Sequence, residues 1–251
     1  MTAEPGNTAP PLALFFLEGQ RAFFEGMTLP AAHALLRRAP RGGGQPVLLL
    51  PGYLTGDGST RVLRRFLAAQ GFRAHPWLQG RNSGPRRSVI ERVSRRLAAL
   101  HERYGEPVSL VGWSLGGVYA REIAKGFPDL VRQVVSLGSP FADITRTSSL
   151  TRWVQRGDAE EQVERERWAE RLKQPPPVPS TAIFSKSDGI VHWRACRELD
   201  APSTENIEVS GSHCGLGFNP LVLYLVAERL AQPEGGWKPF RYEGWRRYAY
   251  G

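Results

Sequence analysis

Between residues 45 and 231, short apolar runs alternate with helical patterns, and this alternation limits the possible folds more than any other feature. The run Val47-Leu48-Leu49-Leu50 ends at Pro51-Gly52 and is typical of a strand buried on both faces. Residues 86–103 place apolar side chains on one helical stripe with arginines opposite. Repeated strand–helix order predicts an α/β fold, a mostly parallel sheet with helices on both faces.

The same patterns predict the position of each element. Strands are expected at 47–50, 72–77, 108–113, 133–137, 181–185 and 207–209. Helices are expected at 59–70, 86–103, 115–126 and 220–231. Ser59 is the expected N-cap of the first of these helices and Gly71 its stop, whereas Asn219 caps the last helix and Pro220 opens it.

Three segments flank or interrupt this alternation. Residues 1–44 are expected to form short helices that pack on the core and are broken at Gly19, Gly26 and Pro30. Residues 141–178 are highly charged with helical patterns at 147–156 and 159–173, and they are expected to form a cap over the sheet. Residues 232–251 form an aromatic and basic tail, expected to fold over the N-terminal helices with arginines stacked on rings; the alternative is contact with a lipid–water interface or a polyanion.

Composition excludes several classes of protein. The 251 residues are 41% apolar and 23% charged, which excludes a wholly disordered or collagen-like chain, and no apolar run is long enough to cross a bilayer. The net charge is +9, but the arginines are spread over many segments without a nucleic-acid-binding motif, so no nucleic-acid partner is expected. A basic surface suits peripheral contact with an anionic membrane. The N-terminus lacks a cationic start, which favours a cytoplasmic location, although a chain whose leader had been removed would look the same.

The strongest functional signal is Gly112-Trp113-Ser114-Leu115-Gly116-Gly117, which follows a predicted strand and opens a predicted helix. This is the context of a nucleophile elbow, in which a serine on a sharp turn projects above the sheet. Gly112 and Gly116 let strand and helix approach closely, and the amide of Leu115 points towards a developing oxyanion. The alternative is a glycine-rich turn with an incidental serine.

With this motif the chain resembles the α/β-hydrolase superfamily, and within it bacterial serine esterases and lipases, over about residues 45–231. The resemblance implies a catalytic Ser, Asp or Glu, His order along the chain. Asp188, just past the strand at 181–185, fits the acid, with Asp143 as its rival. Of the five histidines, His213 fits the expected loop after the last strand. Histidine suits the base because its unperturbed pKa lies near neutrality.

The resemblance also suggests the second oxyanion donor. Pro51-Gly52-Tyr53-Leu54 resembles the His-Gly-X turn of lipases with proline in place of histidine, so Tyr53 would give its backbone amide and its ring would line the acyl pocket. Residues 137–141, Leu-Gly-Ser-Pro-Phe, resemble the turn that leaves the strand after the elbow in many lipases. That turn favours a carboxylesterase over relatives whose nucleophile is aspartate.

Cys196 and Cys214 lie in the acid and base regions, which should meet at one end of the sheet. A disulfide between them would brace both loops, as in some secreted bacterial lipases; two buried thiols are the alternative. No metal or organic cofactor is expected.

The predicted function is hydrolysis of an acyl ester through Ser114, His213 and Asp188 with an acyl-enzyme intermediate. An acyltransferase or thioesterase with the same residues, and a non-catalytic lipid- or partner-binding homologue, are the alternatives.

Overall fold

A computed structural model describes residues 9–84, 87–143 and 167–251. Within this part of the chain, six strands form one sheet in the order β2-β1-β3-β4-β5-β6, and every neighbouring pair is parallel. The strands are β1 (Pro46–Leu50), β2 (Arg73–Pro76), β3 (Val108–Trp113), β4 (Val131–Leu137), β5 (Ser180–Phe184) and β6 (Thr204–Glu208). The sheet confirms the predicted α/β class.

Helices cover both faces of the sheet. They are α1 (Leu12–Met27), α2 (His33–Leu36), α3 (Arg61–Ala69), α4 (Arg87–Tyr104), α5 (Leu115–Gly126), α6 (Pro220–Leu230) and α7 (Arg246–Ala249), with 3-10 turns at Pro128–Leu130 and Trp193–Cys196. Side chains alternate across β1: Leu48 and Leu50 join the core under α4 and α5, whereas Val47 and Leu49 join the core under α3 and α6. This explains why β1 reads as a continuous apolar run.

The order of the strands places the candidate site. The chain passes from β1 outward to β2, then returns to β3 on the other side of β1. The direction in which successive strands are added to the sheet therefore reverses between β1 and β3. In open α/β sheets, ligands bind outside the carboxyl ends of the strands at such a point. The Pro51-Gly52 turn follows β1 there, and Ser114 follows β3.

Some predicted boundaries are wrong. Helix α1 runs without a break through Gly19, because a single glycine costs a helix only about 1 kcal/mol. Helix α3 begins after Thr60 with no side-chain cap, and the Ser59 hydroxyl donates to the carbonyl of Gly56 at 2.8 Å instead. The cap of α6 is confirmed, since the Asn219 side chain accepts from the amides of Leu221 and Val222.

The segments around the core are described in part. Most of the predicted cap helices fall within 144–166, outside the described residues, and 167–173 is helical. The tail packs on β6 and α6: Val209 and Tyr250 form an antiparallel bridge, and the Tyr250 hydroxyl donates to the Leu221 carbonyl at 2.9 Å. Arginine stacking occurs there, with Arg246 over Phe240. None of the described helices combines the length and apolar character that crossing a bilayer would require.

Candidate active site

Ser114 sits at the junction of β3 and α5 in a backbone conformation that side chains rarely adopt. Its φ is 53° and its ψ −123°, outside the regions that suit a non-glycine residue. The turn is held on both sides: the Ser114 amide donates to the Leu137 carbonyl at 2.8 Å, and its carbonyl accepts from Gly117 at 3.0 Å. The supported turn therefore holds Ser114 in its strained conformation at the carboxyl end of β3.

The glycines of the motif allow strand, helix and neighbouring loops to meet. A Cβ at Gly116 would lie 2.7 Å from the carbonyl carbon of Leu50, and one at Gly117 would lie 2.8 Å from the Cβ of Ser139. A Cβ at Gly112 would overlap the backbone of Gly116 and Gly117. The tight turn at Ser114 therefore requires small residues at these positions.

Asp188 and His213 are in direct contact. The Nδ1 atom of His213 lies 2.6 Å from Oδ2 of Asp188, and the other carboxylate oxygen accepts from the amides of Ile190 at 2.8 Å and Val191 at 2.7 Å. A proton on Nδ1 would be donated to this carboxylate, and the lone pair on Nε2 would then be the proton acceptor. The imidazole thus meets Asp188, the carboxylate that the order along the chain favoured.

Two contacts bring the loop of Ser114 to this pair. The indole nitrogen of Trp113 donates to the His213 carbonyl at 3.1 Å. Gly138, next to the carbonyl that binds the Ser114 amide, has a φ of +54°, and a Cβ on it would lie 3.1 Å from His213 Nδ1 and 3.2 Å from Asp188 Oδ2. Exposed fractions are 6% for Ser114, 5% for His213 and 3% for Asp188. The three residues follow the carboxyl ends of β3, β6 and β5, so each is sheltered at the same edge of the parallel sheet.

The surroundings of His213 favour its charged form. Burial lowers the pKa of the imidazole, but the charge and hydrogen bond of Asp188 and the charge of Glu18 outweigh burial, so its pKa is raised above the usual value. An imidazolium formed by taking up a proton is therefore stabilised where it forms.

The loop after β1 approaches Ser114 closely. A Cβ on Gly52 would lie 3.3 Å from the Cβ of Ser114, and Tyr53 is the next residue of this loop. The Tyr53 ring is partly buried against the core under α4 and α5. Leu115 is the first residue of α5, and an amide in the first turn of a helix has no acceptor within the helix. Leu115 directly follows Ser114 in the chain, and Tyr53 directly follows the Gly52 backbone that approaches Ser114.

Asn82, which the sequence analysis missed, holds the loop after β1. It is fully buried, and its side-chain amide donates to the Pro51 carbonyl at 2.9 Å. Its backbone exchanges two hydrogen bonds of 2.7 Å with Leu54 and Thr55. These bonds support Leu54, whose φ is 59°. No sequence signal marks Asn82, because it acts from a loop that is distant along the chain.

The expected disulfide is wrong, since Cys196 and Cys214 are both free. Cys196 is buried in a small apolar cluster with its thiol towards the carbonyl of His192 at 3.9 Å, whereas Cys214 lies on the loop bound by Glu18. Burial raises the pKa of Cys196, and burial together with Glu18 raises the pKa of Cys214 to about 12. Both thiols are therefore protonated near neutral pH and poor nucleophiles.

Helix α1 supplies polar contacts that no motif indicated. Glu18, Arg21 and Glu25 are its charged residues, and each bonds to a loop of the site. Their spacing of three and four residues places them on one face of the helix. This spacing is the sequence pattern that could have indicated their shared role. Among the described residues, no group of three or more histidine, cysteine or acidic side chains is placed to hold a metal ion.

No protein-family model matches this sequence, and neither does any curated protein. Among solved structures, lipase B of Aspergillus fumigatus is similar, with a TM-score of 0.62 and 19% identity over 77% of this chain. This chain spans 54% of that lipase's length. A structure of the metagenome-derived lipolytic enzymes LipS and LipT gives a TM-score of 0.57 with 16% identity, covering 76% of this chain and 93% of that one.

The monoacylglycerol lipase of Paleococcus ferrophilus gives a TM-score of 0.53 with 18% identity, covering 73% of this chain and 96% of that one. The parallel sheet, the strained serine after β3 and these neighbours define the class: the chain has the α/β-hydrolase fold, and its structural neighbours include lipases and esterases.

Proposed function

We propose that this protein is a serine hydrolase that cleaves carboxylic esters. The observation that carries the proposal is the 2.6 Å contact between His213 and Asp188 at the same edge of the sheet as Ser114, whose φ is 53°. Nucleophile, base and orienting carboxylate are the three roles that acyl transfer through a serine requires.

In the proposed reaction, His213 Nε2 takes the proton of the Ser114 hydroxyl as its oxygen attacks the ester carbonyl. The amides of Leu115 and Tyr53 bind the negatively charged oxygen of the tetrahedral intermediate. The protonated imidazole then gives its proton to the leaving alkoxide, so an alcohol departs and an acyl-enzyme remains. Water, deprotonated by His213, attacks this acyl-enzyme, and collapse of the second intermediate releases the carboxylic acid and restores Ser114.

The substrate we propose is a lipid-like acyl ester presented at an anionic lipid surface. Two features of α1 support this choice. Both of its carboxylates, Glu18 and Glu25, accept hydrogen bonds from loops of the site, and Glu18 is buried. The remaining surface of α1 exposes large apolar side chains, with Phe16 78% exposed. Exposed apolar patches of this kind mark interaction surfaces, and a chain of charge +9 is drawn to anionic lipid.

The test is the Ser114→Ala variant, with Ser88→Ala in α4 as the matched control. Turnover of p-nitrophenyl esters should be lost in the first and kept in the second, with both folded by circular dichroism. A fluorophosphonate probe should label the parent chain at Ser114, located by mass spectrometry of peptides. Unchanged turnover in Ser114→Ala, or absence of labelling, would refute the proposal. Product analysis with added alcohols or thioesters separates hydrolysis from acyl transfer and thioester cleavage.

A further inference from the structure

We propose that Glu18 of α1 is a positioning residue for the proposed reaction. Its carboxylate fixes the loop that carries Asp188, here called the acid loop, relative to the loop that carries His213, here called the base loop. This inference rests on the proposed function, because it assigns a role in aligning the base and its carboxylate. It goes beyond the hydrolase core, because α1 precedes the first strand of the sheet.

The hydrogen bonds of Glu18 span both loops. Its Oε1 accepts from the amide of Gly189 at 2.7 Å and from the amide of His213 at 3.1 Å. Its Oε2 accepts from the amide of Cys214 at 2.9 Å. Gly189 directly follows Asp188, so one carboxylate fixes the backbone beside each partner of the Asp188–His213 contact.

Burial makes these bonds consequential. Glu18 is 4% exposed, so its charge has lost most contact with water and depends on the bonds it receives. Hydrogen bonds to an ionised acceptor are about twice as strong as neutral ones. Arg21 pairs with Glu18: its Nη1 lies 3.7 Å from Oε1 and donates at 2.6 Å to the carbonyl of Ser187, which precedes Asp188 on the acid loop.

The fit of α1 against the acid loop is an independent observation. A Cβ on Gly189 would lie 2.5 Å from the carbonyl group of Leu14 and 2.8 Å from the amide nitrogen of Phe15. Only a glycine next to Asp188 permits this approach. The first turns of α1 are thus seated on the acid loop, and Glu18 follows one turn later.

Glu25 offers a natural comparison. It lies seven residues further along α1 and accepts from the amide of Ser212 at 2.6 Å and from the side chain of Asn219 at 3.0 Å. These contacts hold the start of the base loop to the cap of α6 and do not reach Gly189. Loss of Glu25 should therefore loosen one loop, whereas loss of Glu18 should uncouple the two.

The charge of Glu18 also reaches the imidazole. The charged groups facing His213 are Asp188 from the acid loop and Glu18 from α1, with Arg21 and Glu25 next on the same helix. Glu18 and Asp188 both raise the pKa of His213. Removing the charge of Glu18 should therefore move the acid limb of kcat/KM to lower pH.

The experiment compares Glu18→Gln, Glu18→Ala, Glu25→Gln and the exposed control Gln20→Ala with a soluble short-chain p-nitrophenyl ester. We expect kcat to fall about 10²-fold in Glu18→Ala, the loss that a displacement of about 1 Å can cause, with KM changed little. Glu18→Gln keeps one carbonyl oxygen and should lose less kcat while still shifting the acid limb downwards. Glu25→Gln should leave the acid limb in place.

Hydrogen exchange gives a readout that does not depend on turnover. In Glu18→Ala the amides of Gly189, His213 and Cys214 should exchange faster, while those of the sheet stay protected. Unchanged kcat and acid limb in both Glu18 variants would overturn the proposal, even if exchange rises, since the role would then be structural alone. If Glu18→Ala does not fold, Glu18→Gln decides by the same criteria. Activity surviving in Ser114→Ala would instead refute the proposed function itself.

Discussion

At the scale of single residues, the tight turn at Ser114 depends on the absence of side chains at the neighbouring glycines. In Gly116→Ala the new methyl would collide with the backbone of Leu50, where no flexible side chain can yield. We expect a loss of about 3 kcal/mol or more of unfolding free energy, measured by urea denaturation.

The control for that variant is Gly19→Ala in α1, where nothing lies within 4 Å of the added Cβ. This change should raise the unfolding free energy by about 0.5–1 kcal/mol, because alanine loses less backbone entropy than glycine in a helix. Equal effects at the two glycines would contradict the close approach at Gly116.

The Asp188–His213 contact predicts a pH dependence. Because the proposed base must be neutral and its pKa is raised above 6.5, kcat/KM should fall as the pH drops through a midpoint above 6.5. Asp188→Asn removes the largest raising influence, so the acid limb should move down while kcat falls by about 10⁴-fold. Asp143→Asn, the change at the rival carboxylate, should leave both quantities near the parent values; the reverse pattern would move the acid to Asp143.

At the scale of elements, α1 has two faces with different tasks. Its polar face holds loops of the site, and its apolar face is open. The triple change of Phe16, Phe23 and Phe24 to serine should reduce co-sedimentation with vesicles containing phosphatidylserine, because the inserted apolar area is lost. Hydrolysis of a soluble ester should be unaffected.

Phe127→Ser, at a half-exposed phenylalanine outside α1, is the control for the vesicle experiment. It should bind the same vesicles as the parent chain, and neutral vesicles should bind the parent more weakly than anionic ones. Equal binding of the triple variant and the parent would remove α1 as the contact surface.

A buried ion pair anchors α5, the helix that follows Ser114. Arg121 of α5 pairs with Glu198, both fully buried, and it donates to the carbonyls of Leu172 and Gln174 at 3.0 Å. Burial lowers the pKa of Arg121 to about 9. Glu198→Gln removes the negative charge that pairs with Arg121 and leaves the buried cation without this partner. We expect this change to lower the unfolding free energy by about 3–5 kcal/mol.

The matched control is Glu170→Gln, which removes the partner of Lys173 in a pair at the surface. Its cost should stay below about 1 kcal/mol in the same urea titration, because water replaces the lost partner. Similar losses of unfolding free energy for the two variants would show that burial does not increase the contribution of the Arg121 pair to stability.

At the scale of the whole molecule, the C-terminal tail protects the edge of the sheet. Glu208 and Gly251 exchange backbone hydrogen bonds of 3.1 and 3.3 Å, and Phe240 and Tyr250 are buried against α6 and β6. Removing residues 237–251 would expose these apolar surfaces and the free edge of β6, so we expect a lower Tm and aggregation on heating. Tyr248→Ser, at a residue 79% exposed, should behave like the parent chain in light scattering.

Most of the fold could be predicted because local patterns encode it. Residues 47–50 are apolar without interruption since both faces of β1 are covered, and the strand–helix alternation then allows little besides a parallel sheet. Edges were harder: β6 spans Thr204–Glu208, whereas its apolar residues suggested 207–209, because an outer strand is only partly buried.

The sequence by itself determined the α/β class, because strand and helix patterns are local properties of the chain. Its resemblance to a family of hydrolases supplied the expected order of Ser114, Asp188 and His213. The tertiary structure alone decided that Glu18 and Asn82 hold the loops of the site and that the two cysteines stay apart. The reason is physical. These contacts join residues that no periodicity relates, and a buried carboxylate or amide finds its donors only once the packed chain has brought their backbones together.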